Sequence, residues 1–127
     1  MQEMMCVKLE LRFPTEIIFG NGSVDRVGKK AREYGVRAFL VTGRSAMHKA
    51  GIINRITDLL EASGFEEICL YDQAEHDPST ETVDRGAELA RAGKYDVIIG
   101  VGGGSAMDVA KTIACLVKNE GSSADYQ

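Results

Sequence analysis

Apolar and polar positions along the chain follow two alternating periods, which predict an α/β protein. Short apolar runs rich in β-branched residues are typical of buried strands, and apolar positions three or four apart are typical of helices. The predicted strands cover residues 7–13, 15–19, 37–42, 66–71 and 96–101, and the predicted helices cover 23–34, 52–62, 80–92 and 105–118. Because strands and helices take turns along the chain, we expect an open parallel sheet with helices on both faces.

The breaks between these elements place the loops at one edge of the predicted sheet. Ser23 is predicted to cap the first helix, and Gly35 to end it. The predicted strand ends at Thr42, Asp72 and Val101 each precede a loop at the carboxyl edge of the sheet. Ligands bind at that edge in open α/β sheets, so we expect the functional residues in these loops.

A glycine run after the last predicted strand is the strongest sign of chemistry. The strand leads into Gly102, Gly103 and Gly104, and a helix is predicted to open at Ser105. N–H groups in a first helical turn lack intrahelical partners and attract anions, and glycines let a phosphate approach the backbone. The pattern predicts the phosphate grip of a nucleotide site. The alternative is a purely structural turn, with Ser105 and Asp108 as a reciprocal capping pair.

Composition narrows the class of protein. The chain has 127 residues, about one domain, with 44% hydrophobic residues and a net charge of −4. That charge gives no support to nucleic-acid or anionic-membrane binding. No apolar stretch approaches the length of a membrane span, and residues 1–10 lack the features of a signal peptide, so we expect a cytoplasmic protein.

The cysteines and histidines point away from disulfide and metal chemistry. Cys6, Cys69 and Cys115 are odd in number and far apart, so we expect buried, reduced thiols. His48 and His76 are the only histidines, and neither has the spacing of a metal ligand. We therefore expect no metal ligand here, and no residue of the chain can be named as a catalytic acid or base.

Four ordered motifs resemble the N-terminal nucleotide-binding domain of the iron-containing alcohol dehydrogenases. The motifs are Phe13–Gly22, Leu40–Ser45, Asp77–Ser79 and Gly102–Asp108, the last followed by Ala110 and Lys111. The resemblance covers nearly the whole chain and implies a Rossmann-like sheet. It also implies hydride transfer between a small alcohol, or its aldehyde or ketone, and a nicotinamide dinucleotide.

The resemblance implies a set of cofactor-binding residues. Gly102, Gly103, Gly104 and Ser105 would hold the pyrophosphate, and Asp108 would steady that loop or contact the cofactor. The segment Thr42, Gly43, Arg44 and Ser45 would lie near the adenosine ribose, and Asp77 would touch the nucleotide. Where relatives that prefer NAD often carry Asp, this chain has Gly43 followed by Arg44, so we expect a preference for NADP over NAD.

The resemblance also implies what lies outside these residues. Members of the family bind iron or zinc on a separate helical domain, so residues 1–127 are expected to form an incomplete NAD(P)-binding domain that is inactive alone. The open sheet edge, or the strand within 6–12, is expected to drive homodimer or other self-association. Two alternatives stay open, a stand-alone nucleotide-binding or assembly module without catalysis, and a relative from the glycerol dehydrogenase and dehydroquinate synthase branch.

Overall fold

A three-stranded parallel sheet forms the centre of the computed structural model, which describes residues 14–119 and 121–126. The strands are β1 (Arg37–Gly43), β2 (Glu67–Ala74) and β3 (Val97–Val101). The α-helices are α1 (Val27–Arg32), α2 (Ala46–Lys49), α3 (Ile52–Ala62), α4 (Thr80–Ala92) and α5 (Gly104–Lys118). Two 3₁₀ helices cover Ser23–Arg26 and Ser123–Tyr126. The predicted α/β class and parallel sheet are confirmed.

The strand order β2-β1-β3 places the first strand in the middle. The chain runs from β1 outward to β2 and then crosses back to the other side of β1 to form β3. The helices that follow β1 and β3 therefore pack on opposite faces of the sheet, as predicted. The loop after β1 and the loop after β3 therefore lead to opposite faces and leave a crevice between them at the carboxyl ends of the strands. Ligands usually bind at this position in such sheets.

Alternate side chains of β1 supply the centres of two hydrophobic clusters. Phe39 and Val41 are fully buried against α4 and α5. Ala38 and Leu40 point to the opposite face and are fully buried against α1 and α3. Because side chains alternate along a strand, this central strand is apolar on both faces, and its run of buried residues explains why it was easily found in the sequence.

A register shift between Val41 and Gly43 brings the ends of β1 and β2 together. Beyond the shift, Gly43 pairs with Ala74, so β2 continues past Asp72, where the sequence predicted its end. That prediction was wrong because polar side chains at a sheet edge break the apolar pattern without breaking the backbone pairing. The extension places the residue after Ala74 beside the loop that follows β1.

The segment 14–26 differs from its prediction. Residues 15–19 form no strand, although their pattern is apolar, and Phe19 is 99% exposed. An apolar run becomes a strand only with a partner, and none of the described strands pairs with it. Ser23 is not the cap of a helix, because Gly22 occupies that position at a φ of 73° and the first turns are 3₁₀. The predicted strand at 7–13 and Cys6 lie outside the described residues.

The chain after α5 and one cysteine also depart from expectation. Residues 123–126, predicted as loop, form a 3₁₀ turn, in which the buried Ser123 donates its N–H to Asp84 at 2.8 Å. Cys69 is half-buried, whereas Cys115 is exposed on α5, so its predicted burial was wrong. No described helix combines the length and apolarity that crossing a bilayer requires.

Candidate functional site

Two loops at the crossover point enclose a cleft of about 510 Å³ that we call the glycine cleft. One wall is the glycine run and the first turn of α5. The other wall is formed by the ends of β1 and β2 and by α2. The lining residues are Gly43, Ala46, Met47, Ala74, Glu75, His76, Gly102, Gly103, Gly104, Ser105 and Ala106. The carboxyl edges of neighbouring strands thus meet where the sequence predicted the site.

The first turn of α5 presents unpaired N–H groups to this cleft. Gly103 is the N-cap, with extended backbone and no side-chain capping bond, and its carbonyl accepts from the N–H of Met107 at 3.1 Å. The three N–H groups between them, those of Gly104, Ser105 and Ala106, precede the first intrahelical bond. Ser105 lies inside the helix rather than at its cap, so the predicted capping pair with Asp108 is wrong. A helix N-terminus left open in this way attracts an anion.

The three glycines of the run differ in why a glycine is needed at each position. Gly102 has a φ of +138°, which disfavours any other residue. A Cβ on Gly103 or Gly104 would meet no atom within 4 Å and would project into open space. Internal packing therefore does not require these two glycines. Their missing side chains leave room for a group that approaches the backbone from the cleft.

Half of the predicted site residues line the glycine cleft, namely Gly43, Gly102, Gly103, Gly104 and Ser105. The others lie elsewhere. Thr42 is fully buried, and its hydroxyl has no hydrogen-bond partner in the described part of the chain. Ser45 is the exposed N-cap residue of α2 and makes no capping bond. Asp77 is exposed at a φ of 53° in the turn before α4.

Arg44 and Asp108 line two neighbouring clefts. Arg44 faces a polar cleft of about 700 Å³ along β2 and α4, which we call the arginine cleft. Asp108 lines a smaller cleft of about 220 Å³ between the starts of α4 and α5. Neither side chain lines the glycine cleft itself. Arg44 nevertheless follows Gly43 directly and shares the arginine cleft with Glu75, which also lines the glycine cleft.

Glu75 is a charged residue of the site that sequence reasoning missed. It lines both the glycine cleft and the arginine cleft. Its Oε1 accepts from the Ser79 N–H at 3.4 Å, from the Ser79 hydroxyl at 3.2 Å and from the Thr82 hydroxyl. These bonds, chiefly that from Thr82, hold the pKa of the Glu75 carboxyl below its usual range, and Arg44 adds to the effect. The sequence offered one sign of this role, because Glu75 follows a predicted strand closely and so lies near the carboxyl edge of the sheet.

The described residues do not fit a metal site. Within 14–119 and 121–126, no three His, Cys, Asp or Glu side chains converge as metal ligands would. His48 lies on α2 with its Nε2 at 3.6 Å from the Asp72 Oδ2, a contact between α2 and β2. His76 lines the glycine cleft by itself. No step through a metal ion is assigned to these residues.

A nucleotide fits the glycine cleft better. The cleft combines an open helix N-terminus, space above two glycines and the free hydroxyl of Ser105, which makes no hydrogen bond with described residues. These groups donate hydrogen bonds, as phosphate oxygens require, and they carry no acid or base suited to proton transfer. The arrangement is suited to holding a phosphate ester.

Known proteins are similar to this chain in sequence. The sequence model of the iron-containing alcohol dehydrogenases matches residues 14–127. NADH-dependent butanol dehydrogenase A of Clostridium acetobutylicum is 32% identical over 121 residues, 94% of this chain and 30% of that protein. NADPH-dependent butanol dehydrogenase of Clostridium saccharobutylicum is 37% identical over 105 residues, 83% of this chain and 26% of that protein.

A solved structure matches as well. An archaeal halo-thermophilic alcohol dehydrogenase from a Red Sea brine pool superposes with a TM-score of 0.84 at 36% identity. The match covers 97% of this chain and 32% of that enzyme. The described sheet and helices are thus those of the relatives. The chain spans about 30% of the length of the curated relatives that it matches.

Proposed function

The chain belongs to the iron-containing alcohol dehydrogenase family, and on that premise we propose that its glycine cleft binds a nicotinamide dinucleotide. In the whole enzyme this cofactor would serve the interconversion of a small alcohol and its aldehyde or ketone. The observation that carries the proposal is the open N-terminus of α5 at the crossover point of the sheet. Relatives named for NADH and for NADPH both match this chain.

The roles of the lining residues follow from their donors and from the space they leave. The pyrophosphate would accept from the N–H groups of Gly104, Ser105 and Ala106 and from the Ser105 hydroxyl. Gly102 supplies the turn, and Gly103 leaves the backbone accessible. When bound, the dinucleotide supplies the hydride acceptor or donor. The residues of this chain bind and orient it.

The adenosine end would lie across the cleft, toward the loop after β1. Gly43 leaves room there for a 2′-phosphate, and Arg44, the next residue along the chain, is the cation proposed to bind one. We propose a preference for NADP on this basis. The roles of Thr42, Ser45, Asp77 and Asp108 are then indirect, because none of their side chains lines the glycine cleft.

The isolated chain is proposed to bind cofactor without turnover. The described residues contain no converging set of metal ligands, and the metal of this family is expected on a separate domain. We also propose that the chain self-associates through its open sheet edges, independently of cofactor binding. Incubating the purified chain with NADP, a primary alcohol and ferrous or zinc ions should produce no NADPH absorbance.

Calorimetric titration of the purified chain with NADPH and NADH tests the proposed site. The variant Gly103→Val should abolish binding of both cofactors, because its side chain fills the space above the backbone, where the added Cβ meets no described atom within 4 Å. Ala62→Val, an exposed change at the end of α3, is the matched control and should bind like the original chain.

The two variants separate binding from folding. Both should keep the unfolding midpoint of the original chain, since neither added side chain lies in the core. Binding that survives Gly103→Val would place the cofactor elsewhere. If the original chain binds neither cofactor, the proposal that these residues suffice for binding is refuted.

A further inference from the structure

Glu75 is the single carboxylate among the described residues that line the glycine cleft. It also lines the arginine cleft, where Arg44 lies. The register shift that pairs Gly43 with Ala74 puts Glu75 immediately beside the loop after β1. Gly43, the residue before Arg44, lines the glycine cleft without a side chain. Glu75 and Arg44 therefore line the arginine cleft together with opposite charges, and Glu75 also reaches the glycine cleft.

The carboxylate is held in place by one of its oxygens. The bonds from Ser79 and Thr82 all reach Oε1. Oε2 accepts no hydrogen bond from described residues and keeps its full acceptor capacity. A fixed, ionised carboxylate with a free oxygen is the group that dinucleotide sites use to accept ribose hydroxyl protons. The same charge repels a 2′-phosphate.

We propose that Glu75 is a specificity-determining residue of the cofactor site, reading the adenosine ribose and limiting the preference for NADP that Arg44 provides. The inference rests on the proposed binding of a dinucleotide in the glycine cleft. In NAD the 2′-hydroxyl donates to the free oxygen of Glu75. In NADP the 2′-phosphate gains the attraction of Arg44 and meets the repulsion of Glu75. The chain thus accepts both cofactors with a small difference in affinity.

Titrating Glu75→Gln with NADPH and NADH tests this assignment. Glutamine keeps an oxygen that can accept from Ser79 and Thr82, so the loop before α4 retains its bonds. Removing the charge should raise the ratio of NADPH to NADH affinity by about three- to ten-fold. Arg44→Gln should move the ratio by a similar factor in the opposite direction. Higher salt should reduce both shifts, because they are electrostatic.

Glu88→Gln is the matched control. Glu88 lines the arginine cleft but not the glycine cleft, so this variant removes the same charge while leaving the ratio unchanged. If Glu75→Gln weakens both cofactors equally, Glu75 only shapes its loop and the inference is wrong. An unchanged ratio would also overturn it, with cofactor binding intact. Failure of the original chain to bind either cofactor would refute the proposal that these residues suffice for cofactor binding, which is a distinct result.

Discussion

Gly100 and Gly103 lie close together in sequence, but internal packing requires a glycine only at Gly100. A Cβ on Gly100 would lie 2.7 Å from the Cβ of Ala110, where β3 and α5 approach closely. A Cβ on Gly103 meets nothing. Gly100→Ala should therefore destabilise the fold by about 1–3 kcal/mol through overpacking. Gly103→Ala should leave the free energy of unfolding nearly unchanged.

Urea denaturation of the two variants measures this difference. Equal losses of stability would mean that the space above Gly103 is needed for folding rather than for a ligand. The sequence shows both glycines within one short stretch, residues 100–104. It could not separate them, because the residues that each would touch come from the packing of α5 on β3.

Charged side chains were the hardest residues to place from sequence. Arg44 was expected near the ribose, and the structure turns it into the neighbouring cleft. Glu75 was passed over within a polar loop, although it lines the glycine cleft. Which cleft a side chain faces depends on the register between β1 and β2, and a one-residue shift in pairing is not visible in a hydrophobic pattern.

The sequence predicts the start of α4 correctly and places the start of α5 one residue too late. Ser79 precedes α4 and accepts from the N–H of Thr82 at 3.2 Å. Ser105, the cap of α5 in the alternative interpretation of the glycine run, lies within the helix after Gly103. A serine after three glycines fits the cap pattern in sequence, but flexible glycine backbone allows the helix to begin earlier.

Two alanine variants test this assignment of caps. Ser79→Ala should cost about 1 kcal/mol, because it leaves the N–H of Thr82 without its acceptor and removes a contact to Glu75. Ser105→Ala should change the free energy of unfolding by less than about 0.5 kcal/mol. Chemical denaturation of both proteins gives the comparison. A larger loss for Ser105→Ala would restore that residue as the structural cap and weaken the argument for an open helix N-terminus.

The sheet of the described residues ends on both sides in an unpaired strand. Its order leaves the outer edge of β2 and that of β3 without a partner in the part of the chain described. Strand existence and helix periodicity were predictable because each depends on local apolar spacing. Whether a sheet edge is paired cannot be predicted from local spacing, since it depends on which other strand lies beside it. Unpaired backbone groups along an edge are a template for another chain.

We predict that the isolated chain self-associates at micromolar concentration, chiefly through β2, the longest strand. Leu70 on β2 is 41% exposed, so Leu70→Lys should be tolerated while its charge hinders pairing at that edge. Leu89 on α4 is 46% exposed and lies off the sheet, which makes Leu89→Lys the matched control. Sedimentation velocity should show concentration-dependent association for the original chain and the control, and less for Leu70→Lys. A monomer at every concentration would contradict edge pairing, and equal association of both variants would exclude β2 as the contact.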